Sequence, residues 1–220
     1  FGEEQLRALY GDETPPDSMM GYFNALLKKI ERLLILFKKE FAQSEFVPVA
    51  FEQKIGSGEK AVAPIVIPLE RGTLSMIGVV DRVDLFEQNG KKYLRVVDYK
   101  SGKKTFSLSK VEHGIDVQML MYLCALRQNL FPGEDGIPAG VQYVGANPAI
   151  VPALRGDPAE KTVVQWEEKI PRSGLYLTDA GVLHAMDASE ERKFLKIKKA
   201  DSPFFVTEER FGEIFESIEE

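Results

Sequence analysis

The chain has 220 residues, 44% of them hydrophobic, and a net charge of −6, which is typical of a globular protein large enough for one sizeable domain. No apolar run approaches the roughly 18 to 20 residues needed to cross a bilayer, and the N-terminus carries no secretory signal pattern. The single cysteine, Cys124, excludes an internal disulfide and a cysteine-cluster metal site, and it favours a reducing cytoplasm. The acidic balance gives no indication of nucleic-acid binding. Because the sequence opens on Phe1 without an initiator methionine, we expect an excised piece of a longer protein.

A long amphipathic helix is predicted first, over about residues 18–43, because apolar side chains recur there at steps of three and four. Basic side chains between them form an outer face, which is either simply solvated or a surface that lines DNA. The basic residues are Lys28, Lys29, Arg32, Lys38 and Lys39.

The next part of the chain favours strands. A loosely alternating stretch covers Phe46–Ile55, and Ala61–Leu69 is β-branched but broken by prolines, which indicates an edge strand. Two stronger candidates, Leu74–Gln88 and Lys91–Lys100, flank the dipeptide Asn89-Gly90.

After the strands, an amphipathic helix is predicted over residues 109–130, followed by a strand over Ile137–Gly145. Residues 146–175 are rich in proline and glycine and are predicted to be irregular. Thr178–Asp187 is expected to form a short helix capped by Thr178 or Asp179, and a last helix is expected to begin near Thr207.

This order of elements predicts an α/β fold with a central mixed β-sheet flanked by helices. We expect a single domain over residues 1–220. Its parts are the long helix at about 18–43, the sheet and hairpin at about 46–102, a helix at about 110–130 and peripheral elements at 146–220.

The Asn89-Gly90 dipeptide predicts a hairpin and its register. Both central residues of a type I′ turn need positive φ, and Asn-Gly is the strongest short signal for such a turn. If these two residues form the turn, Asp81 lies opposite Asp98, with Cβ atoms roughly 4.5–5.5 Å apart. Lys100 then shares their face, whereas Asp84 points to the other face and pairs with Arg95.

Two opposed carboxylates among valines repel each other, and a divalent cation relieves that repulsion. Oxygen ligands favour Mg²⁺ or Mn²⁺, which can activate a water and polarise a phosphodiester. Lys100 can position or deprotonate that water, or stabilise the developing charge. The alternative is that Asp81 is an ordinary strand-end residue and that Asp98 and Lys100 are a surface pair.

Three blocks of residues occur in order along the chain: Gly78-Val79-Val80-Asp81, Asp98-Tyr99-Lys100, and Gln118 followed four residues later by Tyr122. Together they resemble the Gly-x-x-Asp, Asp-Tyr-Lys and Gln-x-x-x-Tyr motifs of the RecB-type branch of the PD-(D/E)XK nucleases. Within that branch the AddB family of helicase/nuclease subunits is the most similar, through Arg172–Leu175 and Val182–Asp187 as well. The resemblance runs from about Phe41 to residue 206.

The resemblance implies a restriction-endonuclease-like core. It implies Asp81, Asp98 and the Tyr99 carbonyl as ligands of Mg²⁺ or Mn²⁺, and Lys100 as the catalytic lysine. Gln118 and Tyr122, on one helix face, would flank the site and contact the catalytic groups or the DNA.

The sequence also departs from that family. The branch often has a histidine ligand on a helix before the sheet, but this chain has only His113 and His184, which we interpret as ordinary surface or core residues. Glu52 could approach the metal, although a structural role is favoured. The cysteines of the family's iron–sulfur cluster are not in this sequence, so we expect no cluster in this piece.

The resemblance implies a metal-dependent nuclease domain of a bacterial helicase–nuclease for double-strand break repair and recombination. It would act as an exonuclease on single-stranded DNA and contact the DNA backbone. Its partner would be the A-type subunit of the helicase/nuclease, and no membrane association is expected. Lysines after Lys100, among them Lys103, Lys104 and Lys110, either hold phosphates or belong to a solvated loop. The alternatives are a non-catalytic module that guides DNA or docks another protein of the complex, and a stand-alone nuclease similar to Cas4 or Dna2.

Overall fold

The structure is a computed structural model that describes residues 4, 8, 10–11, 16–132, 136–146, 159–197 and 204–219. The chain separates into two compact units, residues 1–42 and 43–220. A single nuclease domain over 1–220 therefore stays a prediction. Within the described residues, no helix is both long enough and apolar enough to span a bilayer.

The first unit contains one long helix, α1, over Asp17–Phe41, where the periodic apolar residues predicted a helix at about 18–43. Asp17 lies in its first turn, and Lys38 and Lys39 lie in its last turn. All three charges are placed to interact favourably with the helix macrodipole, which is positive at the N-terminus and negative at the C-terminus.

The second unit combines strands and helices. Its strands among the described residues are β1 (Val47–Ile55), β2 (Val66–Leu69), β3 (Gly72–Ser75), β4 (Gly78–Gln88), β5 (Lys91–Lys100), β6 (Gly136–Gly145), β7 (Arg172–Leu177) and β8 (Phe204–Val206). Its helices there are α2 (Leu108–Glu112), α3 (Gln118–Leu130), α4 (Ala159–Glu168), α5 (Ala180–Met186) and α6 (Glu208–Glu219).

Six strands form one mixed sheet in the order β1-β4-β5-β6-β7-β8, and β2 with β3 forms a separate small sheet. The pairs β5/β6 and β7/β8 are parallel, and the other neighbours in the large sheet are antiparallel. Parallel neighbours need a crossover connection, which α2 and α3 provide between β5 and β6. The expected α/β arrangement with a mixed sheet is confirmed.

Burial explains why the centre of the sheet is so apolar. Every residue of β6 is buried, as expected for a strand that has neighbours on both sides and cover on both faces. Helix α3 contacts β5 and β6 and buries a nearly continuous apolar run from Met119 to Leu126. This helix therefore holds the crossover against the middle of the sheet.

Some predicted elements differ from the structure. The strand predicted over Leu74–Gln88 is wrong as one element, because β3 pairs with β2 whereas β4 begins at Gly78 in the large sheet. The helix predicted over 109–130 is two helices, because Gly114 and Asp116 have left-handed backbones, with φ of +70° and +61°.

The irregular stretch predicted over 146–175 is wrong where α4 and β7 form, and residues 147–158 lie outside the described residues. Glycine suggested a loop, but Gly174 belongs to a strand. A Cβ atom there would collide with the Val141 carbonyl oxygen of β6, so glycine permits close strand pairing. The short helix near residue 180 and the last helix are confirmed, with caps at Asp179 and Thr207.

The predicted hairpin register is confirmed. Asn89 and Gly90 both have positive φ, +54° and +76°, as a type I′ turn requires. The pairs run from Gln88 opposite Lys91, through Asp84 opposite Arg95, to Arg82 opposite Val97.

A buried charge cluster lies on one face of this hairpin. Asp84 is fully buried and accepts hydrogen bonds from Arg95 at 2.7 and 3.0 Å, which confirms the predicted pair. Arg82, also fully buried, adds a contact at 3.0 Å that the sequence reasoning missed. The Arg95 guanidinium further lies 5.0 Å from the centre of the Phe46 ring. One carboxylate thus ties β4 to β5 from within the core.

We predict that Asp84→Ala lowers the free energy of unfolding by about 3–5 kcal/mol, because it leaves two arginines buried without their shared carboxylate. The measurement is urea denaturation monitored by circular dichroism. Glu87→Ala, at an exposed position of the same strand, is the control and should change stability by less than about 0.5 kcal/mol. Equal effects of the two substitutions would contradict the structural role of the cluster.

Candidate active site

A row of polar side chains crosses the opposite face of the sheet. Asp98 of β5 is paired with Tyr143 of β6, and Tyr143 is paired with Ser173 of β7. The β4/β5 register ends at Arg82 opposite Val97, so strand alternation predicts Asp81 on the face of Asp98, and the charge of Asp81 acts on the Asp98 carboxyl group. Directly opposed residues share a face, so Asp98, Tyr143 and Ser173 form a row across three neighbouring strands, and Asp81 is expected to extend it onto β4.

Asp98 and Lys100 form an ion pair within this row. The Lys100 Nζ atom lies 2.9 Å from Oδ1 and 2.7 Å from Oδ2 of Asp98. The Asp98 side chain is only 14% exposed and that of Lys100 is 39% exposed, so this is not a freely solvated surface pair. The two residues stand two positions apart on one strand, as the predicted face requires.

Burial raises the pKa of the Asp98 carboxyl group above its usual value, and the negative charge of Asp81 raises it further. The hydrogen bond and charge of Lys100, together with the charge of Lys104, act in the opposite direction. The net effect is a rise, which means that the site disfavours two unscreened carboxylates. Additional positive charge would be stabilised here.

Asp81 is held by the main chain of β5. Its Oδ2 atom accepts a hydrogen bond from the Tyr99 N–H at 2.6 Å. The Tyr99 ring points to the other face, where its hydroxyl group contacts the Arg82 guanidinium of the buried charge cluster. The two faces of the hairpin are therefore joined through Tyr99.

Gln118 and Tyr122 approach the site from the start of α3. The Gln118 side-chain amide donates a hydrogen bond to the Tyr122 hydroxyl at 2.7 Å. That hydroxyl packs directly on the Cα position of Gly78, where a Cβ atom would lie 2.7 Å from the nearest ring carbons. Gly78 of the first motif therefore contacts the Gln118–Tyr122 pair of the third motif, three residues before Asp81.

Three residues considered from the sequence as possible ligands, Glu52, His113 and His184, are exposed. Glu52 of β1 is exposed and has a left-handed backbone, with φ of +50°. His113 and His184 are exposed, and a His113 ring nitrogen lies 2.6 Å from the Ser109 carbonyl oxygen. Among the residues that the structure describes, no three His, Cys, Asp or Glu side chains group closely enough to hold a metal ion, so Glu52 does not join Asp81 and Asp98.

Sequence reasoning missed Tyr143 and Ser173. Both lie on strands that join the site only through the parallel β5/β6 pairing and the β6/β7 pairing, and no local pattern specifies those partners. Burial, followed by the charges of Asp98 and Asp116, raises the pKa of Tyr143 to about 12, so its phenol stays protonated at neutral pH. Tyr143 therefore adds a neutral aromatic group beside the carboxylates.

The donor set fits a small divalent cation. Mg²⁺ is usually bound by one or two carboxylates, with water and substrate phosphate completing its shell. Asp81 and Asp98 supply two such groups, and the buried Oδ2 atom of Asp98 has no well-aligned hydrogen-bond donor despite its short contact with Lys100. A third protein carboxylate is not needed for this kind of site.

The fold and the site together define a nuclease-like α/β protein, with two carboxylates and a lysine at the end of a hairpin in a mixed sheet. Comparison with known families agrees. The sequence profile of the PD-(D/E)XK nuclease superfamily matches residues 3–201. The chain belongs to this superfamily.

Individual relatives are named as the B-type subunit of an ATP-dependent helicase/deoxyribonuclease. The chain is 32% identical to that of Caldanaerobacter subterraneus subsp. tengcongensis over 166 residues, which are 74% of this chain and 14% of the relative. It is 34% identical to that of Clostridium novyi over 180 residues, 80% of this chain and 16% of the relative. For the Clostridium acetobutylicum protein the identity is 32% over 174 residues, 77% of this chain and 15% of the relative. The chain thus spans only about a seventh of the length of these relatives.

We predict that Gly78→Ala lowers stability by about 1–3 kcal/mol, because the new methyl group overlaps the Tyr122 ring. The loss should shrink when Tyr122 is also changed to alanine, and a double-mutant cycle by urea denaturation measures this coupling. Gly102→Ala is the matched control, since nothing lies within 4 Å of a Cβ atom built there. A Gly78→Ala effect that is unchanged without Tyr122 would contradict the contact.

Proposed function

We propose that this chain is a metal-dependent deoxyribonuclease domain that hydrolyses phosphodiesters at the row containing Asp81, Asp98 and Lys100. The observation that carries the proposal is the short ion pair of Asp98 and Lys100 beside Asp81, inside a fold of the PD-(D/E)XK superfamily. Membership of a nuclease superfamily supports the reaction class, and the geometry supports the particular residues.

The cation we propose is Mg²⁺ or Mn²⁺, held by the carboxylates of Asp81 and Asp98 and by the Tyr99 carbonyl oxygen. When bound, such an ion polarises a phosphodiester and lowers the pKa of a water. Asp81 is oriented for this role by the Tyr99 N–H, which occupies one of its oxygens. The raised pKa of Asp98 supports a cation at this position, because positive charge offsets the cost of a buried carboxylate and, to a smaller degree, the repulsion of Asp81.

Lys100 would act as an ammonium group that stabilises charge on the phosphate as the bond breaks. Its ion pair with Asp98 places the ammonium group beside the proposed metal-binding carboxylates, which suits this electrostatic role. Gln118 and Tyr122 would orient the site from α3, through the hydrogen bond between them and the packing on Gly78.

The names of the relatives support a further proposal about the longer protein that contains this domain. They support a nuclease domain within an ATP-dependent helicase–nuclease. We propose that this domain spans residues 1–220, acts in the bacterial cytoplasm and contributes to break repair and recombination. We propose single-stranded DNA as the substrate, cut as an exonuclease, and the A-type subunit of the helicase/nuclease as partner. Contacts would be made to the DNA backbone, with little dependence on base sequence.

We predict that Asp98→Asn and Lys100→Met each lower the cleavage rate of an end-labelled single-stranded oligonucleotide in Mg²⁺ or Mn²⁺ by on the order of 100-fold or more. The reason is that one substitution removes a ligand and the other removes the charge facing the phosphate. Cleavage is measured on denaturing gels, for this chain and for the longer protein that contains it.

Lys92→Met, at the far end of the same strand, is the matched control and should leave the rate unchanged. Full cleavage by the longer protein carrying Asp98→Asn would refute the assignment. Such a result, together with the absence of Mn²⁺ binding, would favour a non-catalytic module that guides DNA or docks another protein of the complex.

We also predict that Mn²⁺ binding weakens as the pH falls, and that the weakening begins above the ordinary aspartate pKa of 3.8. The sign follows from competition, because a carboxyl group with a raised pKa takes up a proton at a higher pH and then no longer binds a cation. Isothermal titration calorimetry measures the affinity across the pH range. Asp98→Asn should lower the affinity at neutral pH by roughly tenfold or more and flatten the pH dependence. An affinity that is independent of both pH and Asp98 would contradict the prediction.

A further inference from the structure

The loop that leaves β5 is fixed in place by a side chain of β7. The Ser173 hydroxyl donates a hydrogen bond to the Lys104 carbonyl oxygen at 2.8 Å and accepts one from the Phe106 N–H at 3.0 Å. Ser173 is 5% exposed and Phe106 is 4% exposed, so both anchors are buried. The main chain around Lys104 is therefore held against the sheet at two points.

This anchoring places the Lys104 ammonium group near Asp98 of the proposed active site. The Nζ atom of Lys104 lies 5.8 Å from the centre of the Tyr143 ring, and that of Lys100 lies 5.9 Å from the same centre. Tyr143 is the sheet neighbour of Asp98. The positive charge of Lys104 acts to lower the pKa of the Asp98 carboxyl group, against the larger effect of burial. Lys104 thus belongs to the electrostatic surroundings of the site, although it lies four residues beyond Lys100.

The other contact of Lys104 is with a partly exposed carboxylate. Its Nζ atom lies 2.7 Å from Oδ1 of Asp116, and the Lys110 Nζ atom lies 3.7 Å from Oδ2 of the same residue. The exposed fractions are 34% for Lys104, 26% for Asp116 and 56% for Lys110, so solvent or a ligand can reach all three groups. The hydrogen bond from Lys104 lowers the pKa of Asp116, which keeps this carboxylate charged.

Two ammonium groups thus share one carboxylate at this place. Ion pairs that solvent can reach contribute little to stability, so replacing the Asp116 carboxylate with another anion costs little free energy. A phosphodiester also carries one negative charge and offers oxygen acceptors to lysine. The arrangement is matched to the backbone of a nucleic-acid strand that continues past Lys100.

We propose that Lys104, assisted by Lys110, binds a backbone phosphate of the DNA strand next to the one that is cut, and that Asp116 holds the Lys104 ammonium group until DNA replaces it. The proposal rests on the proposed nuclease function for the identity of the strand. Lys104 is a binding residue in this account and takes no part in the chemical step.

The test measures the binding of a fluorescein-labelled oligothymidylate to the 220-residue chain by fluorescence anisotropy, in EDTA and over a series of NaCl concentrations. Lys104→Gln is expected to weaken binding on the order of tenfold at low salt, the size of one charged hydrogen bond. It is also expected to reduce the slope of log affinity against log salt by about 0.7, the value for one phosphate contact on a single strand.

Three further variants are compared with Lys104→Gln in the same binding measurement. Lys104→Arg keeps the charge and should retain the wild-type salt slope. Lys91→Gln removes one positive charge at the opposite end of β5 and should have little effect. Asp116→Asn removes the competing carboxylate and should tighten binding roughly two- to fivefold, in keeping with a weak exposed ion pair.

The proposal is overturned if Lys104→Gln and Lys91→Gln change the affinity and the salt slope equally, or if Asp116→Asn weakens binding. Because binding is measured in EDTA, the result does not depend on cleavage. If the chain cleaves DNA, Lys104→Gln should raise KM and leave kcat nearly unchanged, whereas Asp98→Asn lowers kcat. Loss of the Lys104 effect with retained dependence on Asp98 would therefore reject this inference and leave the nuclease function standing.

Discussion

The antiparallel register of β4 and β5 is the constraint on which the rest of this structure depends. A turn with two left-handed residues, Asn89 and Gly90, determines which residues face each other along the whole hairpin. A slip of one residue would exchange the two faces, because side chains alternate along a strand. Asp84 would then leave the core, and Asp81 would leave the row that contains Asp98.

The two faces of the hairpin handle charge in different ways. On one face, Asp84 is fully buried and held by two arginines, so its charge is paired within the protein. On the other face, Asp98 has one lysine and the repulsion of Asp81, so its charge is only partly balanced. Because the charge of Asp84 is fully paired, the first cluster links β4 to β5. Because the charge of Asp98 is only partly balanced, the second group is able to bind a cation and a phosphate. Tyr99 joins the two, because its N–H holds Asp81 while its ring lies beside the Arg82 side chain.

Predictions from the sequence succeeded where the signal was local. The turn dipeptide was sufficient for the hairpin register, and the spacing of apolar residues indicated α1. They failed where neighbours distant in the chain decide the outcome. Gly174 suggested a loop, yet it lies in a strand because glycine lets β7 approach the Val141 carbonyl of β6. Gly78 was recognised as part of a motif, but its close contact with Tyr122 depends on how α3 packs.

By itself, the sequence determined the hairpin register, the common face of Asp98 and Lys100, and the pairing of Asp84 with Arg95. These follow from turn chemistry and strand alternation, which act over a few residues. Only the tertiary structure decided that Tyr143 and Ser173 extend this face across the sheet and that the ammonium groups of Lys100 and Lys104 both lie near the Tyr143 ring. The physical reason is that parallel pairing and the anchoring of a loop depend on contacts between segments far apart in the chain, for which no local pattern encodes the partner.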